Sequence, residues 1–95
     1  MKRFMLLHVG FEKPTPEIMA AWGKWFERVA PQTIENVGLR HGREINRNGT
    51  ADLTIGPDAV TGYTIVSADS FDEAHKLAAS NPFVGSIRIY EMITH

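Results

Sequence analysis

A chain of 95 residues is long enough for one domain and too short for two, so residues 1–95 read as a single unit. Its 43% hydrophobic and 22% charged residues exclude disorder and low complexity, and the lack of cysteine excludes disulfides, thiolate nucleophiles and iron–sulfur clusters. Ten basic residues against eleven acidic ones leave a net charge of −1, which gives no electrostatic footprint for nucleic acid.

Residues Lys2 to Val9 read as the first strand. Phe4, Leu6 and His8 share one face, and Met5, Leu7 and Val9 share the other. Both faces are apolar, so this strand is expected to be central and covered on both sides. The basic start and apolar run briefly imitate a signal peptide, but the run stops at His8, short of an h-region and cleavage site. No stretch approaches the roughly 20 apolar residues of a membrane span. The expected compartment is the cytosol, with no membrane partner.

Thr15 is a good helix N-cap, and Pro16 has its φ already set for a first helical position. The helix is predicted to run to about Ala30 and to stop at Pro31. Ile18, Trp22, Trp25, Phe26 and Val29 form its apolar stripe. A second, more polar strand is predicted over Val37 to Ile45 and is an edge candidate. Arg40, Arg43 and Arg47 fall there as a solvated strand face rather than a phosphate site. Asn48-Gly49 signals a turn, and a loop is predicted from there to Gly56-Pro57-Asp58.

The third strand is predicted over Val60 to Ala68, with Tyr63, Ile65 and Ser67 alternating against Thr64, Val66 and Ala68. Ser70 and Glu73 have the spacing of a capping box. The second helix buries Ala74, Leu77 and Ala78 and ends before Asn81-Pro82. Phe83 to Ile93 is the last predicted strand, in which Ile87 and Ile89 alternate against Arg88 and Tyr90.

The order β-α-β-β-α-β with right-handed crossovers predicts an α+β, ferredoxin-like domain. Four antiparallel strands would carry both helices on one face. The first strand's second apolar face then needs a cover, and the sheet of a second copy is the simplest one. A homodimer is therefore expected. A domain of this size buries only roughly 60–65% of its unfolded surface, so pairing would also add to a thin stability margin.

These segments resemble the YCII-related (DGPF-domain) family of dimeric α/β-barrel proteins, over nearly the whole chain. The resemblance rests on Phe4-Met5-Leu6-Leu7-His8, the helix around Trp22 to Phe26, and Gly56-Pro57-Asp58 leading into Gly62-Tyr63-Thr64-Ile65. Ser70-Phe71-Asp72-Glu73-Ala74 and Arg88-Ile89-Tyr90-Glu91 complete it. It implies a ferredoxin-like dimer with a small-molecule site between the sheets. It also implies, for some members, a His–Asp pair, and its relatives include a dehydrochlorinase acting on a muconate-type acid. Here Ala20-Ala21-Trp22 stands where some relatives carry a helical histidine, and Ile55 rather than aspartate precedes Gly56-Pro57.

His8 is the first catalytic candidate, because an imidazole titrating near neutrality suits proton transfer. The alternative is a histidine tied to backbone at the edge of the core. Asp58 is the second, as a carboxylate that would orient His8 and raise its pKa; the alternative is a plain turn aspartate. Tyr63, Arg88, Tyr90 and Trp22 are candidates for holding substrate. Arg88 suits a carboxylate, although it could equally pair with Glu91 or Glu44, and the tryptophans could simply be core.

His41, His75 and His95 show no metal-ligand spacing with one another or with His8. A spatial site from His8, His41 and an aspartate stays open. No phosphate loop, dinucleotide fingerprint or nucleophile elbow is present. Two functions follow. One is a cofactor-free lyase, dehydrochlorinase-like or isomerase-like, acting on a small unsaturated organic acid through His8 and Asp58. The other is a non-catalytic dimeric module that binds a small molecule. A monooxygenase-type barrel shares the architecture, since fold does not set function.

Overall fold

In the computed structural model, which describes residues 1–82 and 85–93, four strands form one antiparallel sheet. The strands are β1 (Lys2–Val9), β2 (Thr33–Gly38), β5 (Val60–Ala68) and β6 (Ser86–Glu91), in the spatial order β2-β5-β1-β6. Helices α1 (Pro16–Val29) and α2 (Phe71–Ala79) are the two crossovers. This is the ferredoxin-like α+β arrangement that the element order predicts.

The central place of β1 follows from its two apolar faces. Phe4 and Leu6 are wholly buried in a cluster with Trp25 and Val29 of α1, Val66 and Ala68 of β5, and Ala74 and Ala78 of α2. Both helices therefore cover the Phe4–Leu6–His8 face. Burial of a side chain the size of Phe4, Leu6, Val29 or Val66 contributes about 1.5–3 kcal/mol. Met5 and Leu7 point the other way, in register with Ile65 and Tyr63 of β5 and with Tyr90 and Arg88 of β6. No element of the chain covers that face among the described residues.

Local chemistry places the helices as expected. The Thr15 hydroxyl accepts from the Ile18 amide at 3.1 Å. Ser70 Oγ accepts from the Glu73 amide at 3.1 Å, while Glu73 Oε2 reaches past the cap to the Asp69 amide at 3.0 Å. Beyond α1, Pro31 sits in a short 3-10 turn, Ala30–Gln32, and the Thr33 hydroxyl closes the helix end on the Val29 carbonyl at 2.9 Å. The Trp25 indole N–H is shared between the Leu77 carbonyl at 3.0 Å and Ser80 Oγ at 3.1 Å. That bond joins α1 to the end of α2.

The stretch predicted as one strand, Val37 to Ile45, is two. β2 ends at Gly38, and the chain breaks at His41, whose φ of 53° is left-handed. The predicted loop after Asn48-Gly49 contains a strand: β3 (Gly42–Asn46) and β4 (Gly49–Leu53) pair as a separate ribbon. Gly49, with φ of 134°, takes the conformation the turn needs. Arg40, Arg43 and Arg47 are all exposed, and Arg43 pairs with Asp52 at 3.1 Å within the ribbon. The last strand is shorter than predicted, Ser86–Glu91; Phe83 and His95 lie outside the described residues.

Gly62 shows how close β2 and β5 lie. A Cβ there would stand 2.7 Å from the Val37 carbonyl oxygen, a main-chain atom that cannot swing aside. Gly62→Ala is expected to destabilise the domain by about 1–3 kcal/mol, read as a lower urea midpoint. An unchanged midpoint would refute the close approach.

Candidate functional site

Strand alternation carries His8 to the helix side, where its imidazole is buried beside the α1 stripe. The ring centroid lies 5.1 Å from Trp22 and 5.9 Å from Trp25, both edge-on. Trp22 and Phe26, four residues apart, continue the aromatic wall with centroids 5.7 Å apart. From the neighbouring strand, Thr64 meets the ring directly, with Oγ1 2.9 Å from His8 Nε2. His8 Nδ1 is buried and has no hydrogen-bond partner among the described residues.

A bulge shapes the mouth of this site. β1 and β5 pair His8 with Gly62 and then Val9 with Val60, so Thr61 is extra. Its hydroxyl lies 3.4 Å from both the His8 and Gly10 carbonyls. Such irregularities re-aim side chains at strand ends. Over the bulge lies a cleft of about 300 Å³ between α1 and the β2–β5 side of the sheet. His8, Trp22, Phe26, Asn36 and Thr64 line it, together with the strand residues around Val37 and Gly62. Among the described residues, no lysine, arginine, aspartate or glutamate does. A larger hollow of about 480 Å³ lies against the ribbon at His41, Arg43 and Asp52. All its lining residues are exposed, so it offers no dry environment for chemistry.

Electrostatics at His8 follow from burial. Removal from water penalises the imidazolium and pushes its pKa down from 6.5 to about 4. At neutral pH the ring is therefore uncharged and can both donate and accept. The unfolded chain takes up a proton below pH 6.5 that the folded chain refuses until about 4. Stability from this group is thus full above pH 6.5, falls as the pH drops, and falls no further below about 4. The loss is on the order of 3 kcal/mol. His8→Gln is expected to remove that part of the acid sensitivity in urea unfolding at pH 7 and pH 4. Equal acid sensitivity in both proteins would show that His8 is not the titrating group.

The candidates from sequence separate into two places. Trp22 stands with His8. Asp58 is exposed in the turn that the Ala59 amide closes on the Gly56 carbonyl at 3.1 Å. No hydrogen bond or ion pair joins it to His8 among the described residues. Tyr63 borders the cleft, although its β5 position opposite Leu7 belongs to the sheet face away from the helices. Arg88 and Tyr90 lie on that far face, beside Leu7 and Met5, and do not line the cleft. Thr64 was not singled out, yet a lone hydroxyl in the apolar series Thr64, Val66, Ala68 was the available signal. Among the described residues, no three His, Asp or Glu side chains gather as a metal site, and no helix is long and apolar enough to cross a membrane.

Comparison with solved structures finds the same fold in a 5-chloro-2-hydroxyhydroquinone dehydrochlorinase from Burkholderia phenoliruptrix, in complex with 2,5-dihydroxybenzoquinone. The TM-score is 0.58 at 13% identity, and the match covers 98% of this chain and 95% of that one. At that identity the likeness establishes the fold. No protein-family model matches the chain, and no curated protein matches it.

Proposed function

We propose that the cleft beside His8 receives a small, planar, uncharged oxygenated molecule, and that the protein is a cofactor-free lyase or isomerase acting on it. The carrying observation is the imidazole itself. Its Nε2 is held by Thr64 while Nδ1 is buried without a partner, and an unsatisfied buried polar atom of this kind costs about 1–3 kcal/mol. A ligand oxygen that reached Nδ1 would relieve that cost, and Trp22 and Phe26 supply flat apolar surface for a ring. Among the described residues no lysine or arginine lines the cleft, so a carboxylate would find no cationic side chain there. This favours a neutral ring over a free acid.

The chemistry would be elimination. Neutral His8 takes the proton from a ring carbon of the keto tautomer, the electron pair of that C–H bond becomes a new ring double bond, and a halide leaves with its electron pair from the neighbouring saturated carbon. The dehydrochlorinase of the same fold, with its quinone ligand, supports this class, as does the resemblance to the YCII-related family. The protein would work in the cytoplasm as one domain and as a homodimer. The pairing surface would be the sheet face with the half-buried Met5, Leu7 and Tyr63. Asp58 would then act only through a shift of its turn toward His8.

The second reading is a non-catalytic binding module, and the low basicity of His8 favours it, since a base at about 4 is poorly matched to neutral pH. A panel of hydroxylated quinones, chlorinated hydroquinones and small unsaturated acids separates these readings by NMR. Neutral rings are expected to shift His8 and Trp22 resonances, with loss of a chlorinated compound marking the enzyme. Shifts without turnover mark the module. Binding of acids alone, abolished by Arg88→Ala, would overturn the cleft and place the site on the open sheet face.

A further inference from the structure

Cross-strand partners share a face of the sheet, so the register lays out rows on the helix side. One row runs Leu6, Thr64, Asn36 across β1, β5 and β2, and every position in it carries a side chain. The next row runs His8, Gly62, Gly38. There the two positions beside the imidazole are bare. Neighbouring strands lie about 4.8 Å apart, so side-chain-free backbone extends roughly 10 Å from the β1 main chain. All three residues of this row line the cleft, together with Trp22 and Phe26.

The two glycines differ in what requires them. Gly62 is fixed by its neighbour, the Val37 carbonyl oxygen that a Cβ would strike. Gly38 has no such neighbour. Among the described residues nothing lies within 4 Å of a Cβ built on it, and its φ is not left-handed. It nevertheless sits in the hydrogen-bonded ladder, since the Leu39 amide after it donates to the Thr61 carbonyl at 2.9 Å. A glycine in a ladder weakens the strand, and where no turn or backbone contact needs it, it marks a place that a ligand approaches closely. The same row holds a second sign of a ligand. His8 is only 8% exposed, and its Nδ1 has no hydrogen-bond partner among the described residues.

We propose that Gly38 is the specificity-determining residue of the cleft: the space left by its missing side chain receives a substituent of a single bound ring. This rests on the ring-binding reading above and names the position that sets which rings fit. The volumes agree. The cleft measures about 300 Å³. A dry cavity of about 150 Å³ already takes benzene, so the remainder is room for substituents. Gly38 borders that room on β2, the strand of the row farthest from His8.

The test is an anaerobic amide-shift titration by NMR of the wild type, Gly38→Ala and Gly38→Val, with hydroquinone and 2,5-dichlorohydroquinone as probes. Open space and an ordinary φ mean that both variants fold, which unchanged urea midpoints verify. In the wild type both rings are expected to move the Gly38 and Gly62 amides. Gly38→Ala is expected to weaken the dichlorinated ring about tenfold, the scale of one methylene in a fitted pocket, and the parent ring less than about threefold. Gly38→Val should weaken both at least about tenfold. Unchanged affinities in the variants, or an equal loss for the two rings in Gly38→Ala, overturn the role of Gly38 and leave the ring-binding cleft standing. A lowered urea midpoint in Gly38→Ala overturns it too, because the glycine would then be needed by the backbone. A wild type that binds neither ring overturns both the role of Gly38 and the ring-binding reading.

Discussion

Alanine in place of His8 is expected to lower turnover of a cleft substrate by about 10²–10⁴-fold, the usual contribution of one positioned acid–base group. The loss should fall on kcat more than on KM, because Trp22 and Phe26 still hold the ring. Burial gives the prediction a second signature. A base whose pKa lies at about 4 stays neutral through mildly acid conditions. The acid limb of kcat/KM should therefore appear near pH 4 and not near the ordinary histidine value. Thr64→Val, which removes the hydroxyl 2.9 Å from Nε2, should cost less, about tenfold, by freeing the ring to turn. Full turnover in His8→Ala would end the proton-transfer mechanism. It would leave the cleft as a binding site.

The largest stability effect is expected at Trp25. Alanine there should cost about 3–5 kcal/mol, because it removes the largest buried side chain and opens a cavity where α1 meets the sheet. The indole N–H bonds to Leu77 and Ser80 disappear with it. In a domain of this size each kcal/mol lowers Tm by about 4–8 °C, so the variant should melt at least 12 °C lower or fail to fold. Trp25→Phe separates the two contributions. It keeps most of the apolar volume and leaves the Leu77 carbonyl and Ser80 hydroxyl without the indole donor, for a smaller loss of about 1–2 kcal/mol. Calorimetry on the pair gives the answer. A phenylalanine variant as unstable as the alanine one would mean that the shared hydrogen bond, not the packing, holds α1 to α2.

What could be read from residues alone was whatever is written locally. β1 is apolar at successive positions, β5 alternates cleanly, and Thr15 and Ser70 announce their helices; each of these elements begins within a residue of its expected place. The ribbon was hidden for a physical reason. Its strands bury nothing, so no periodicity marks them, and the break at His41 is a backbone conformation that histidine does not advertise. The site was half legible. His8 and Trp22 announce themselves by chemistry and spacing, but the partner of His8 depends on cross-strand register. That register brings Thr64, and not the turn residue Asp58, to the ring. Residue type groups Arg88 with His8, whereas one residue of alternation sends it to the opposite face; Tyr63 alternates the same way and still borders the cleft.

Both tryptophans of the chain stand within 6 Å of His8, ring centre to ring centre. The protein's entire indole fluorescence therefore originates at one place. A protonated imidazole quenches a neighbouring indole, and a ring stacked on Trp22 changes its emission. The molecule thus carries its own optical indicator. Titration of His8 and occupancy of the cleft can be followed in the unlabelled wild type, against no background from elsewhere in the chain.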